Sequence, residues 1–381
     1  MGCPQGSVLG PALWNTLLDD LLGLPFPAGV KTVAYADDVT VLVEAPSRAE
    51  IERRSNAALD LMQKWGGRNR LMFSPAKSCT MTVKGRLQRP PTVRMGGGSI
   101  RSVATATVLG VVLDEHLSFA QHALTIGERA SKSFGKVSRV STASWGMRYP
   151  SLKTIYRATY VTTLTYAAGC WYGRASMHVV RSALLRTQRP SLILLTKAYR
   201  TVSTAALPVL AGVLPAHYEV TIAGRTDGQR SGLTRAEVWA FRRRAKEEAV
   251  IEWQREWDEG TKGRELYRFF PEVSARLSFD WIEPDYETSQ LLTGHGCFRK
   301  RLHDMGLNES SVCLCGQTDE EMHHVLWTCP LYDDIRNEML SGLEAIQVGP
   351  VSYADLVGSQ ANFRRLREYA RAWHRLRGGQ I

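Results

Sequence analysis

The chain of 381 residues contains no run of about 18 uncharged apolar residues, so a membrane-spanning helix of ordinary length is not expected. Its N-terminus lacks the charged leader and apolar core of a secretory signal. It opens Met-Gly-Cys, but Gly6 stands where an N-myristoylation site carries serine or threonine. There is no internal repeat and no low-complexity tract, which sets aside solenoid, fibrous and disordered classes. A framework of paired cysteines is missing too. The seven are spread as Cys3, Cys79, Cys170, Cys297, Cys313, Cys315 and Cys329, an odd number that points to a reducing, intracellular compartment, cytoplasmic or nuclear. Acidic residues are in deficit: 37 Asp plus Glu against 48 Lys plus Arg leave a net charge of +11 and a pI near 9.4, which suits a polyanion such as nucleic acid. At 44% hydrophobic and 22% charged, the composition is that of a soluble globular protein long enough for two or three domains.

The first segment, "GCPQGSVLGPALWNTLLDDLLGLPFP", predicts a Gly-Pro-rich loop and then a helix with Pro11 in its first turn. Leu13, Trp14, Leu17, Leu18, Leu21 and Leu22 recur at helical spacing, leaving Asp19 and Asp20 on the outer face. Next comes "VAYADDVTVLV". Val30, Val33 and Tyr35 before Asp37 and Asp38, and Val39, Val41, Leu42 and Val43 after them, read as two short strands around a turn. Two readings of Asp37 and Asp38 follow. They are ordinary turn residues of a hairpin, or a tight turn lifts both carboxylates to one sheet edge, where they hold a divalent metal. A helix is predicted from about Ala49 to Trp65, then two strand-like stretches interrupted by turn residues, "RLMFSPAKSCTMTV" and "ATVLGVVLDEHLSF". From about Gln121 to Ala216 the patterns become mostly helical, and "RTDGQRSGLT" (225–234) reads as a linker before a charged helix.

A second constellation is "CLCGQTDEEMHHVLWTC". Cys313-x-Cys315, eight residues to His324 and four more to Cys329 supply three thiolates and an imidazole, a set suited to tetrahedral Zn²⁺; His323 is an alternative ligand. Four protein ligands leave no open position, so such a metal is structural. The arginine run 242–244 reads as a solvated helix face, because Glu247 and Glu248 follow. The C-terminal Arg364, Arg365, Arg367, Arg371, Arg375 and Arg377 read either that way or as a track for phosphates.

"GCPQGSVLGPALWN", "AYADDV", "WGGRNRLMFSPAKS", "VLGVVLD" and "TKAYRTVSTAALPVLAGVLP", in this order and spacing, resemble the reverse transcriptases of insect non-long-terminal-repeat retrotransposons, most like the R-one clade. The resemblance implies that Gln5, Gly6 and Ser7 lie beneath the incoming nucleotide and the template, beside Tyr35. It implies that Asp37 and, less firmly, Asp38 bind catalytic Mg²⁺. It places Lys77 near the triphosphate, although a solvated loop lysine fits as well, and Leu109-Gly110 under the primer end as a primer grip. RNA template, DNA primer or target, and deoxynucleoside triphosphate are the implied partners, with no membrane; protein partners stay open. A third carboxylate is expected on a strand ahead of the Gln-Gly loop at which this chain begins. The isolated chain is therefore expected to be catalytically incompetent, and a non-catalytic nucleic-acid-binding module is the rival reading.

The expected fold is α+β: an incomplete polymerase palm with an antiparallel sheet and acidic hairpin (1–118), an α-helical thumb (119–224), a linker and charged helix (225–284), a zinc-knuckle region (285–345) and a basic tail (346–381).

Overall fold

The computed structural model describes residues 6–83, 85, 87–137, 146–344 and 350–378, so Gln5 lies outside the described residues. The chain is mixed α and β and divides into two compact units, Met1–Gln121 and His122–Ile381.

The first unit opens with α1 (Gly10–Leu22), followed by the hairpin β1 (Val30–Tyr35) and β2 (Asp38–Val43), then α2 (Arg48–Arg68). Ser47 caps α2, its hydroxyl accepting from the Glu50 amide at 3.3 Å. Three small sheets carry the strands: β1–β2; a second of β3 (Cys79–Thr80), β5 (Gly98–Ser102) and β4 (Val93–Met95); and a third pairing β6 (Thr105–Val108) with β7 (Val111–Asp114). One core joins α1, α2 and the second sheet through Leu18, Leu21, Leu59, Met62, Trp65, Val93, Met95 and Ile100, against which Ala34, Val39 and Val41 of the hairpin pack. Asp20 is not idle on the outer face of α1: its carboxylate accepts from the Trp65 indole N–H at 2.7 Å, tying α1 to α2. Of the strand-like stretch 70–83, expected to be interrupted by turn residues, only Cys79–Thr80 is strand. Ser74 interrupts it, its carbonyl accepting from the amides of Lys77 and Ser78 in a turn.

The second unit is helical. Its elements are α3 (Ala120–Gly135), α4 (Tyr149–Ile155), α5 (Thr162–Leu164), α6 (Ala168–Trp171), α7 (His178–Thr196), α8 (Ala206–Ala211), α9 (Ala216–Gly228) and α10 (Arg235–Glu259). They are followed by α11 (Arg264–Phe269), α12 (Val273–Ser278), α13 (Tyr286–Thr293), α14 (Arg299–Asp304), α15 (Asp333–Ser341) and α16 (Gln360–Gly378). Gln188 of α7 shows how a buried polar group joins elements. Its amide donates to the Tyr156 hydroxyl and the Leu214 carbonyl and accepts from the Ala216 amide, each at 2.9 Å, so every bond it needs when dry is made. The expected linker at 225–234 is shorter than read, because α9 runs on to Gly228 and buries Thr226.

The expected basic tail is instead a core element. Phe363, Leu366, Tyr369, Ala370 and Trp373 recur at helical spacing along α16 and are buried, with Trp373 stacked on Phe298 at 5.1 Å. Three of its arginines meet acids closely: Arg371 with Asp285 at 3.0 Å, Arg364 with Glu368 at 3.3 Å, and Arg377 with Glu320 at 2.9 Å.

His217, buried at the start of α9, has no hydrogen-bond partner for Nδ1, and burial, with the Arg181 charge adding, pushes its pKa down to about 3. The unfolded chain binds that proton near pH 6.5 and the folded one rejects it, so stability holds above 6.5 and is lost as pH falls. Unfolding free energy from denaturant titration should therefore drop by about 1.4 kcal/mol per pH unit below 6.5 from this residue alone. His217→Asn should reduce that slope by the same amount.

Candidate functional sites

The acidic hairpin is built from α1 outward. Tyr35 pairs with Asp38, so Ala36 and Asp37 make a two-residue loop. Ala36 sits at φ +51°, a left-handed conformation that costs a non-glycine residue energy and persists only where neighbours impose it. Trp14 is that neighbour: its indole N–H donates to the Ala36 carbonyl at 2.8 Å. Strand alternation sends Ala34 and Val39 into the core, which turns Tyr35 and Asp38 to the opposite, exposed face, and Asp37 is exposed at the tip. No local pattern in the sequence pairs Trp14 with a turn 22 residues later.

The other residues expected around this hairpin have plainer surroundings. Gly6 has φ +90°, and the Ser7 hydroxyl accepts from the Gly10 amide at 3.2 Å, holding the first turn of α1. Lys77 is exposed in the turn before β3. Leu109 and Gly110, at φ +47° and +81°, form the two-residue loop between β6 and β7, in a sheet separate from that of the aspartates. Beneath that hairpin, Asp114 accepts from the amides of His116, Ser118 and Phe119 at 2.9 to 3.0 Å.

The second unit gathers Cys313, Cys315, His324 and Cys329, whose ligand atoms all lie within 4.8 Å of one another. Among the described residues this is the group of three or more ligand-bearing side chains that converges in this way; Asp37 and Asp38 belong to no such group. Cys313 Sγ is 3.6 Å from Cys329 Sγ, and Cys315 Sγ is 3.2 Å from His324 Nε2. Two local devices assemble the set. Gly316, at φ +77°, closes a turn by donating its amide to the Cys313 carbonyl at 2.9 Å, which points both first thiols the same way. A π-helical turn over His324–Thr328 then lets the Cys329 amide donate to the His324 carbonyl at 2.8 Å. Residues five apart diverge on an α-helix; the wider turn puts His324 and Cys329 on one side.

Buried side chains that the sequence alone did not single out hold this turn. Arg336 donates to the carbonyls of Leu326 at 2.9 Å and Cys329 at 2.6 Å, and also pairs with Asp333. The Tyr369 hydroxyl of α16 donates to the Val325 carbonyl at 2.6 Å. His324 Nδ1 lies 2.9 Å from the Thr328 hydroxyl, an arrangement that leaves Nε2 facing the thiols. Burial pushes the Cys329 thiol up to about 12, so a bound cation is what would hold it as a thiolate. His323, the alternative ligand, is engaged elsewhere, its Nδ1 lying 2.5 Å from the Tyr353 hydroxyl.

Residues 1–113 match the family described as reverse transcriptase (RNA-dependent DNA polymerase). The chain is 30% identical over 395 residues to the retrovirus-related Pol polyprotein from type-1 retrotransposable element R1 2 of Nasonia vitripennis, covering 99% of this chain and 96% of that one. It is 31% identical to the corresponding R1 Pol polyprotein of Bradysia coprophila, across 97% of this chain and 38% of the relative. It is 33% identical to a putative 115 kDa protein in the R1DM element of Drosophila melanogaster, across 91% and 35%. The chain thus spans little more than a third of the length of the latter two. No solved structure matches it.

Proposed function

Because the chain belongs to the reverse transcriptase family, among the Pol polyproteins of type-1 R1 retrotransposable elements, we propose that its first unit is the metal-binding edge of an RNA-directed DNA polymerase palm. The observation that carries this reading is the Trp14-braced turn, which spends backbone strain on holding Asp37 and Asp38 at an exposed sheet tip. Two hard oxygen donors side by side suit Mg²⁺. When bound, that ion activates the primer 3′-hydroxyl and neutralises charge at the leaving pyrophosphate. Asp37 and Asp38 hold it, Tyr35 lies on the same exposed face beside them, and Gly6 and Ser7 shape the start of α1 toward the template. The Leu109-Gly110 loop supports the primer end by shape, and Lys77 meets the triphosphate.

A specific observation favours a second reading, nucleic-acid binding without catalysis: no third carboxylate converges on Asp37 and Asp38 among the described residues. Primer extension by this chain on an RNA template in Mg²⁺ separates the two. Synthesis that stops when Mg²⁺ is chelated supports the polymerase reading. RNA binding with no synthesis, the outcome expected of an incompetent isolated chain, favours the second, and Mg²⁺ binding unchanged in both Asp37→Asn and Asp38→Asn overturns the first.

In the second unit we infer structural Zn²⁺ at Cys313, Cys315, His324 and Cys329. A tetrahedron with Zn–S near 2.3 Å and Zn–N near 2.0 Å has edges of roughly 3.5 to 3.8 Å, close to the 3.6 and 3.2 Å spacings found. Thr328→Val, which frees the His324 ring to rotate, should weaken zinc binding about tenfold in competition with a chromophoric chelator while leaving one zinc per chain at saturation.

A further inference from the structure

Helix α10 changes character along its length. Its C-terminal half buries Ala245, Ala249, Trp253 and Trp257. Arg235, Trp239, Arg242 and Lys246 are spaced i, i+4, i+7 and i+11 along the other half, so they share one face, and Trp253 lies seven residues further on the same line. Where the core ends, that face opens: Trp239 is 63% exposed. Together with Arg230 and Leu233 from the end of α9 and the turn after it, Trp239, Arg235 and Arg242 line a cleft of about 380 Å³.

The charge in this cleft is only partly answered from within. Arg235 and Arg242 form no salt bridge with any acid among the described residues, and Arg230 meets Asp227 only at 3.6 Å. Glu237 is occupied at the helix cap, its carboxylate accepting from the Thr234 amide at 2.8 Å and the Thr234 hydroxyl at 2.6 Å. Glu219 is the other acid whose field meets Arg242, and Arg157 and Lys246 share it. On the neighbouring face Arg243 approaches Glu247, the i,i+4 pairing expected of a solvated helix surface, and Glu248 pairs with Arg225 of α9. A merely solvated face does not call for a large indole exposed among guanidiniums of which Arg235 and Arg242 form no salt bridge among the described residues. That combination matches what an unpaired nucleotide offers, a flat base to stack and phosphates to bind. A duplex keeps its bases inside the stack, so the indole selects a single strand.

We propose that the cleft between the end of α9 and the start of α10 binds a single-stranded stretch of RNA, one base stacking on Trp239 and the flanking phosphates held by Arg230, Arg235 and Arg242. The choice of RNA over other polyanions rests on the reverse transcriptase reading above.

The test is fluorescence anisotropy of a labelled oligouridylate of about 12 nucleotides binding to the whole chain. Trp239→Ala should weaken binding about tenfold, Trp239→Leu equally because it lacks a π face, and Trp239→Phe by no more than about threefold. Arg235→Ser combined with Arg242→Ser should lower the slope of log affinity against log salt by about 1.4, or 0.7 for each lost phosphate contact. All these side chains are exposed, so unchanged melting temperatures should accompany the losses. Affinity within twofold of the unsubstituted chain for both Trp239→Ala and Trp239→Leu would overturn the proposal. So would equal, Trp239-dependent affinity for the matching oligodeoxynucleotide, which would assign the cleft to a DNA strand. Absence of Mg²⁺ binding at the acidic hairpin with the Trp239 series intact strikes the polymerase reading alone, and the reverse result strikes the cleft alone.

Discussion

Where Mg²⁺-dependent primer extension on an RNA template is measurable, Asp37→Asn is expected to lower it by about 10³-fold or more while leaving the melting temperature unchanged. The substitution keeps size and shape and removes one negative charge. Metal stabilisation of transition-state charge is worth several kcal/mol, and about 4 kcal/mol corresponds to three decades in rate. The fold should not respond, because Asp37 is exposed and what fixes the turn is backbone: the φ of Ala36 and the bond from Trp14 to the Ala36 carbonyl. Asp38→Asn should cost less, since Asp38 sits within the ladder opposite Tyr35, whereas Asp37 occupies the tip. Burst amplitude and single-turnover rate with Mg²⁺ and Mn²⁺ would measure both. Extension by Asp37→Asn at the unsubstituted rate would remove the carboxylate from the chemistry.

What the sequence disclosed depended on how locally each feature is encoded. Helix α1 was legible because leucines at helical spacing and an early proline both act within a few residues, and α1 runs over Gly10–Leu22. The acidic hairpin was legible for the same reason, β-formers on both sides of a short polar turn. The four converging Cys and His residues were legible because closely spaced soft ligands are rare by chance. What joins them was not: the π-helical turn depends on Arg336 and Tyr369, which lie further along the chain and reach its carbonyls. The C-terminal helix was misjudged because its arginines dominate composition. Its apolar stripe from Phe363 to Trp373 was present all the while at helical spacing. Trp14 had no local signature, since its partner is a carbonyl exposed by an unusual φ rather than by a residue type.

The largest stability change should follow from Cys329→Ser. Cys329 is fully buried, and its carbonyl already serves Arg336. With the zinc inferred above, losing this thiolate would leave three protein ligands and an open position in a largely buried site. Structural zinc contributes folding energy outright, with apparent binding near 10 to 16 kcal/mol in small fingers. In a larger unit that folds around other contacts as well, a loss of about 3 to 5 kcal/mol is the conservative expectation, or roughly 6 to 20 °C in melting temperature. The damage should travel to α16, because that helix meets the metal region through the Tyr369 bond to Val325 and through the buried Arg377–Glu320 pair. Amide exchange along 363–377 should therefore rise together with loss of zinc measured by atomic absorption. His323→Gln is the matched control: His323 is exposed and pairs with Tyr353, so zinc should stay at one per chain. Chelation of the unsubstituted chain should reproduce the Cys329→Ser melting curve, and chelating the variant should lower it no further, because both act on one site. A variant that keeps both its zinc and its melting temperature would show that the four side chains converge for packing alone.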